Sequence, residues 1–202
     1  MTTKPAEIAE LATEHPTGRP RDRILSVARD LFYERGVRAV GVDEIAAAAG
    51  TNKMTLYRHF ASKDLLVAEC LREFAREAEA GWDRLAAAHP GDPRAQLVAW
   101  LAKATDHIVA DGGRGCALAN AAVEITEPDH PARPVIEKYK ADMRRRFHQL
   151  AREMKSREPE ALGDSLMLLW EGAYLTRVTM GQHGPVQGAA KAARALIAAY
   201  TD

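Results

Sequence analysis

Five of the seven side chains from residue 53 to residue 59 can donate a hydrogen bond, and three of them can carry a positive charge. Such side chains hold phosphates and contact the edges of bases. Asn52 is a good N-cap for a helix here, and Leu56 and Phe60 would form its apolar, packing side. A short helix of this kind fits the DNA major groove. Its exposed side would present Lys53, Met54, Thr55, Tyr57, Arg58 and His59.

Two further helices are indicated before this one. Apolar residues recur at helical spacing in each, Gly36 can end the first helix, and Gly50 supplies the turn after the second. Two helices joined by a tight turn with glycine form the helix-turn-helix pattern, in which the second helix contacts bases. The apolar residues are Ile24, Leu25, Ala28, Leu31 and Phe32 in the first helix and Val42, Ile45, Ala46 and Ala49 in the second.

Residues 19 to about 72 resemble the DNA-binding domain of the tetracycline-repressor (TetR) family of bacterial regulators. The resemblance implies an all-α fold of about nine helices, with an N-terminal three-helix helix-turn-helix domain and a C-terminal helical domain for ligand binding and dimerisation. Gly41 departs from the usual Ser or Thr cap of the second helix, and Met54 replaces a residue that is often small. The matching positions are Ile24, Leu25, Ala28, Leu31, Phe32, Gly36, residues 42–46, Ala49, Gly50, residues 55–60 and residues 62–65.

The predicted DNA contacts fall into three groups. One group faces base edges or nearby phosphates, a second holds the DNA backbone, and a third precedes the first helix as a mobile arm. The alternative is that Tyr57 and Phe60 are both core aromatics and that Lys63 is a solvated residue. The members are Lys53, Met54, Thr55 and Arg58 in the first group, Tyr57, His59 and Lys63 in the second, and Arg19 and Arg21 in the third.

The charge distribution favours DNA binding although the net charge of the chain is zero. Residues 19–63 hold nine Lys or Arg and five Asp or Glu, a net charge of +4, so the remainder carries −4. A basic module on an acidic body is typical of a targeted DNA-binding protein.

Composition favours helices throughout the 202 residues, since Ala, Leu, Glu and Arg are abundant and no strand-like alternation is sustained. Cys70 and Cys116 make no disulfide framework. With no signal peptide and no apolar run long enough to span a bilayer, we expect a cytoplasmic protein. The predicted division is a loosely ordered arm over residues 1–18, the DNA-binding domain over 19–65, and the effector-binding and dimerisation domain over 66–202.

The C-terminal domain is expected to bind a small-molecule effector of unknown identity. Polar residues at i, i+4 and i+8 of one short predicted helix, from Cys116 to Glu127, could orient a ligand, or could simply meet solvent. The candidate ligand-binding residues are Trp100, His107, Cys116, Asn120, Glu124, Met143, Phe147, Trp170, Tyr174 and Arg177.

The last two helices, predicted at about residues 159–181 and 185–200, are expected to form a homodimer contact. Small residues let helix backbones approach closely, and a few larger apolar residues add contact area. The alternative is that these residues pack within one subunit. The candidates are Leu169, Gly172, Ala173, Thr176, Ala189, Ala193, Leu196, Ile197 and Tyr200.

An enzyme is the main alternative class. The sequence contains no phosphate loop, nucleophile elbow, metal-spaced Cys/His set or paired-carboxylate motif, so we predict no catalytic residue, no metal site and no cofactor. Glu127, Asp129 and His130 could bind a metal, but they lie in a proline-rich stretch that a turn explains better. An effector-free architectural DNA-binding protein is a third class, which the large helical body argues against.

Overall fold

The computed structural model describes residues 18–109 and 114–201, and within these ranges the chain forms nine α-helices, one 3-10 turn and no strand. The predicted all-α class is confirmed. The helices are α1 (Pro20–Arg35), α2 (Val42–Ala48), α3 (Lys53–His59), α4 (Lys63–Ala88), α5 (Pro93–Val109), α6 (Ala117–Glu124), α7 (Arg133–Glu153), α8 (Pro159–Met180) and, after the 3-10 turn at Pro185–Gly188, α9 (Ala189–Thr201).

The chain divides into two compact units. The head unit comprises residues up to Arg72 together with Ala121–Arg133, and the body unit comprises Glu73–Asn120 and Pro134–Asp202. The predicted domain boundary after residue 65 falls inside α4 and stays a prediction. The predicted arm of residues 1–18 lies outside the described residues, except for Gly18.

Helices α1 to α4 bury one apolar side each to form the core of the head unit. Ile24, Ile45 and Leu56 are fully buried, one from each of the first three helices. Phe60 is also buried, whereas Tyr57 is 41% exposed. Phe60 is therefore a core aromatic, as the alternative interpretation expects. Tyr57 is not, and its ring lies on the surface.

Helix ends in the head unit follow local hydrogen-bonding chemistry. The Asn52 side chain accepts a hydrogen bond from the Thr55 N–H at 2.9 Å, so it caps α3 as predicted. Gly41 caps α2 without a side-chain bond. Gly36 ends α1 with a φ of 90°, and a β-carbon there would lie 2.6 Å from Oε1 of Glu124. The positive φ favours glycine at this position.

Two predicted helix ends are wrong, and both errors involve proline. Helix α6 ends at Glu124 instead of residue 127, because Pro128 has no N–H to give to the Glu124 carbonyl. That carbonyl instead accepts from Nε of Arg38 at 2.9 Å. The last α-helix starts at Ala189 because the segment from Pro185 first forms a 3-10 turn.

A cluster of aromatic rings lies in the core of the body unit. The Trp100 ring stacks on the Trp82 ring at 4.9 Å and 7°, and it also packs against the rings of Phe147 and Trp170 at 5.1 and 4.9 Å. Tyr174 extends the cluster, with its ring 5.6 Å from that of Trp170. These side chains come from α4, α5, α7 and α8, so the ring cluster ties four helices together.

A polar contact joins α7 to α8 in the same unit. Buried His148 places its Nε2 2.7 Å from Oδ1 of Asp164, and Arg144 donates two hydrogen bonds to the same carboxylate, at 2.6 and 2.7 Å. The Arg144 and His148 hydrogen bonds hold the pKa of Asp164 well below its usual range. The residue before Asp164 is Gly163, and the His148 ring packs against it.

We predict that Gly163→Ala destabilises the protein by about 1 to 3 kcal/mol, because overpacking forces neighbours apart. The new β-carbon would lie 2.3 Å from Cδ2 and 3.0 Å from the backbone nitrogen of His148. Urea unfolding at fixed protein concentration measures the change. Gly81→Ala in α4 is the matched control, since its β-carbon meets only Arg84 at 3.8 Å and alanine favours helix. Equal stability of the two variants would contradict the prediction.

Candidate nucleic-acid interface

Helix α3 is short, buried on one side and exposed on the other. Leu56 is fully buried against the head core, which fixes the rotation of the helix about its axis. Met54 is 78% exposed, and the side chains of Arg58 and His59 are exposed as well. Thr55 is half-buried. The structure thus brings the predicted donors to one surface, with an apolar methionine among them.

The cations of this surface differ in how they are already paired. The Lys53 ammonium contacts Asp43 of α2 at 3.0 Å, and this hydrogen bond raises the pKa of Lys53. Within the part of the chain that the structure describes, Arg58 and His59 have no side-chain partner. A phosphate or base can therefore bind Arg58 or His59 without first breaking an ion pair with another described residue.

The prediction that Arg21 belongs to a mobile arm before the first helix is wrong. Helix α1 begins at Pro20, since a proline is readily accommodated in the first turn, and so Arg21 lies in that turn. Its guanidinium lies 5.3 Å from the centre of the Phe60 ring and 3.4 Å from Glu69. Arg19 does precede the helix and is exposed, 4.0 Å from Asp22.

Lys63 opens α4 and is half-buried, so it is not simply a solvated residue. Its ammonium lies 5.9 Å from the centre of the Phe32 ring, and burial lowers the pKa of Lys63. The contact with a head-core ring limits where the ammonium can lie. Its predicted role at the DNA backbone stays a prediction.

Arg38 carries a cluster of contacts that the sequence did not indicate. Its backbone N–H donates to Oε2 of Glu124 at 3.1 Å, and its guanidinium donates to Thr126 at 3.3 Å and to Glu127 at 3.1 Å. The partners lie 86 to 89 residues away along the chain, so no local pattern could have revealed them. This positive charge is compensated within the head unit.

The same contacts involve one ligand-binding candidate. Glu124 belongs to the head unit, where its carboxylate accepts from the Arg38 backbone N–H, and its role in ligand binding stays a prediction. Asn120 donates to the Arg114 carbonyl at 2.7 Å, and Cys116 is half-buried.

The other ligand-binding candidates lie in the body unit with different exposures. Met143, Phe147 and Trp170 are buried in the core, and Trp100 and Tyr174 pack beside them. Arg177 donates to the Ile108 carbonyl at 3.1 Å, and His107 is exposed.

A polar cluster that the sequence did not indicate adjoins Cys116. The Lys140 ammonium lies 2.5 Å from Glu171 and 3.7 Å from the Cys116 sulfur. Burial, with the nearby Cys116 and Glu171, raises the pKa of Tyr139. Aromatic side chains and a half-buried ion pair therefore occur in the same unit.

Four of the nine residues of the predicted dimer contact are buried within the chain itself, as the alternative interpretation expects, and the contact stays a prediction for the other five. Ala173, Ala189, Ala193 and Ile197 are buried within this chain, because α8 and α9 turn these sides toward each other and the body core. Leu169, Leu196 and Tyr200 are half-buried against that core, and Thr176 is half-buried too. Gly172 alone of the nine candidates is exposed.

A different side of the same two helices is exposed and apolar. On α8, Leu168 is 74% exposed, Leu175 is 64% exposed and Val178 is 58% exposed. Exposed small residues recur at the same spacing on the 3-10 turn and α9. We call this surface the outer face; it comprises Leu168, Gly172, Leu175 and Val178 together with Gly188, Ala192, Ala195 and Ala199.

No helix in the described ranges is long and apolar enough to cross a membrane. Nor do residues 18–109 and 114–201 contain a group of three or more His, Cys, Asp or Glu side chains that could hold a metal ion.

Head-unit geometry and fold define a helix-turn-helix protein. Residues 24–70 match the family model described as bacterial regulatory proteins, tetR family. The chain is similar to the transcriptional repressor KstR2 of Rhodococcus jostii, with 46% identity over 74 residues, 37% of this chain and 34% of KstR2. It is also similar to the repressor Rv3405c of Mycobacterium tuberculosis, with 42% identity over 73 residues, 35% of this chain and 37% of that protein.

One solved structure extends the likeness over nearly the whole chain. SCO4454, a TetR-family transcriptional regulator from Streptomyces coelicolor, superimposes with a TM-score of 0.85 at 26% identity, covering 91% of this chain and 96% of that one. The aligned stretches of the curated relatives span only about a third of their lengths. The TetR-family match thus lies in residues 24–70, and the fold of a TetR-family regulator extends over 91% of the chain. The family and these relatives are transcriptional regulators and not enzymes.

Proposed function

We propose that this chain is a homodimeric transcriptional repressor that binds a specific DNA operator and is released from it by a small-molecule effector. It would act in the cytoplasm, where bacterial DNA lies. The observation that carries the proposal is the surface of α3. Met54 and Tyr57 are exposed there, Arg58 has no side-chain partner among the described residues, and buried Leu56 anchors the helix. Such a helix can enter the major groove while its other side stays packed.

A dimer follows from the small size of this surface. Seven residues of α3 contact too few base pairs for useful specificity, so two half-sites are needed. The outer face supports the assembly, since exposed leucine, valine and alanine side chains on two adjacent helices are typical of a surface that another subunit covers. A two-fold axis through this face would pair α8 and α9 with their copies.

The body unit is the proposed effector site. Ligand pockets combine apolar and aromatic walls with a few polar groups that orient the ligand. The ring cluster around Trp100 would form the apolar and aromatic walls. Lys140 and Glu171, beside Cys116, would supply the polar groups. An effector acts only if it prefers one arrangement of the dimer over the other. A thermal-shift screen of metabolites, followed by tryptophan emission, tests this part of the proposal.

The experiment that tests DNA binding selects duplexes from a random pool with the purified full-length protein. We expect retained duplexes to share an inverted repeat, with footprints at two half-sites about one helical turn apart or a multiple of it. A retained pool with no common sequence would contradict the proposal.

Met54→Ala and Lys63→Ala are expected to change binding in different ways. Met54 is exposed at the proposed base-contacting surface, so its loss should change which selected duplex is preferred. Removing the Lys63 ammonium should weaken binding to all duplexes alike and lower the salt slope by roughly two units per dimer. Affinity titrations of both variants against the selected and a scrambled duplex, at several KCl concentrations, measure this. If Lys63→Ala changed which duplex is preferred and Met54→Ala weakened binding to all duplexes alike, Lys63 would be the base contact and Met54 the backbone contact.

A further inference from the structure

The Arg23 side chain holds the turn between α2 and α3. Its Nε donates to the Ala49 carbonyl at 3.0 Å, and its Nη2 donates to the Gly50 carbonyl at 3.3 Å. Its Nη1 donates to the Gly18 carbonyl at 3.0 Å. One half-buried guanidinium thus joins α1, the helix-turn-helix turn and the backbone just before Arg19.

Hydrogen bonding within the turn explains why Arg23 matters. The Gly50 N–H donates to Ala47 at 3.0 Å and the Thr51 N–H donates to Ala46 at 2.9 Å, which closes the end of α2 with Gly50 at a φ of 60°. The donors of the turn are therefore satisfied by α2. Its acceptors, the carbonyls of Ala49 and Gly50, are satisfied by Arg23 from α1.

We propose that Arg23 is a positioning residue for operator recognition, which sets α3 and the backbone at Gly18 relative to α1 and contacts no phosphate itself. The inference rests on the proposed DNA-binding function. This positioning role distinguishes Arg23 from the basic residues of the head unit that are expected to contact DNA directly, although all of them carry the same charge.

The planar guanidinium is what the geometry requires. Its donors diverge in a fixed fork, so they reach Gly18 on one side and the turn on the other, while a lysine ammonium is a single point on a flexible stem. Arg23→Lys keeps the charge but cannot make all three contacts. Arg23→Met loses both charge and contacts at similar length.

The test compares Arg23→Met and Arg23→Lys with the wild type, using the duplex that the wild type selects and a scrambled duplex of equal length. We expect operator affinity to fall about tenfold or more in both variants, with binding to the scrambled duplex changed less than about twofold and the salt slope unchanged. Arg145→Met, which removes an exposed charge from the body unit, is the control and should leave both affinities as they are.

Amide hydrogen exchange adds a readout that needs no DNA. The Gly50 and Thr51 amides should exchange faster in both Arg23 variants, at a temperature where circular dichroism shows them fully folded. Unchanged exchange at these amides would overturn the proposal even if the operator hypothesis fails.

Three DNA-binding results would also overturn it. A salt slope lower by about two units with both duplexes weakened equally would make Arg23 a phosphate contact. Full affinity in Arg23→Lys would mean that charge alone matters. If the Arg23 variants lost equal affinity for both duplexes and melted at a lower temperature than the wild type, Arg23 would only stabilise the fold. A wild type that prefers no duplex would instead overturn the proposed function.

Discussion

Leu168→Glu together with Leu175→Glu is expected to give a folded monomer that binds the operator at least about 100-fold more weakly than the wild type. The two leucines lie seven residues apart on the exposed side of α8, so the change touches no buried contact of the single chain. Two-fold symmetry would bring four carboxylates into one apolar contact. Losing the dimer removes the gain from joining two half-sites, which is typically 10² to 10⁴.

Light scattering measures the assembly, circular dichroism the fold, and fluorescence anisotropy the operator affinity. Ala102→Glu with Ala141→Glu is the control, because both alanines are exposed and lie on α5 and α7, which contribute no residue to the outer face. It should remain a dimer. A Leu168→Glu, Leu175→Glu protein that is still dimeric would place the subunit contact elsewhere.

Arg58→Ala is expected to weaken operator binding by about 2 kcal/mol or more, because a contact to a base edge or phosphate is lost from both half-sites. Arg58 is exposed and has no side-chain partner among the described residues, so the wild type gives up no ion pair when this side chain meets DNA. The change should leave the thermal midpoint almost unchanged, since surface substitutions seldom alter stability by more than about 0.5 kcal/mol.

Asp43→Asn supplies a control of opposite sign. It removes a negative charge beside α3 and frees the Lys53 ammonium, now 3.0 Å from that carboxylate. Affinity for any duplex should rise and the salt slope should increase, whereas Arg58→Ala lowers both. Titrations at several KCl concentrations measure the two slopes. If Arg58→Ala bound as tightly as the wild type with the same slope, α3 would not be the DNA-contacting helix.

Local sequence was sufficient to predict the helix-turn-helix of the head unit. Asn52 and Thr55 are three residues apart, and α2 ends with the Gly50 N–H donating to Ala47 and the Thr51 N–H donating to Ala46. Caps, turns and helical hydrogen bonds join residues at most about five positions apart, so short stretches of sequence contain all their determinants. The exposed side of α3 was predictable for the same reason, since Leu56 and Phe60 fix which side is buried.

Which side of α8 and α9 is exposed was decided by tertiary packing. Helix α8 carries apolar or small residues nearly all round, so hydrophobic periodicity defines no single buried stripe in it. In α9, alanines occur on both the buried and the exposed side. The predicted contact included Ala189 and Ala193, whereas their neighbours Gly188 and Ala192 are the exposed ones. One residue along a helix is a rotation of about 100°, enough to exchange an inner for an outer side.

Contacts between distant parts of the chain were likewise beyond the sequence. Arg38 and Glu124 are 86 residues apart, and Arg23 and Gly50 are 27 apart. Arg, Glu and Gly are all common on protein surfaces, so nothing in the local spacing of these four residues marks them as partners. The sequence by itself determined that the helices form, the Asn52 cap and the exposed side of α3, because these depend on neighbouring residues. Only the tertiary structure decided which charges are already paired and which apolar side faces outward, because both depend on segments that meet after folding.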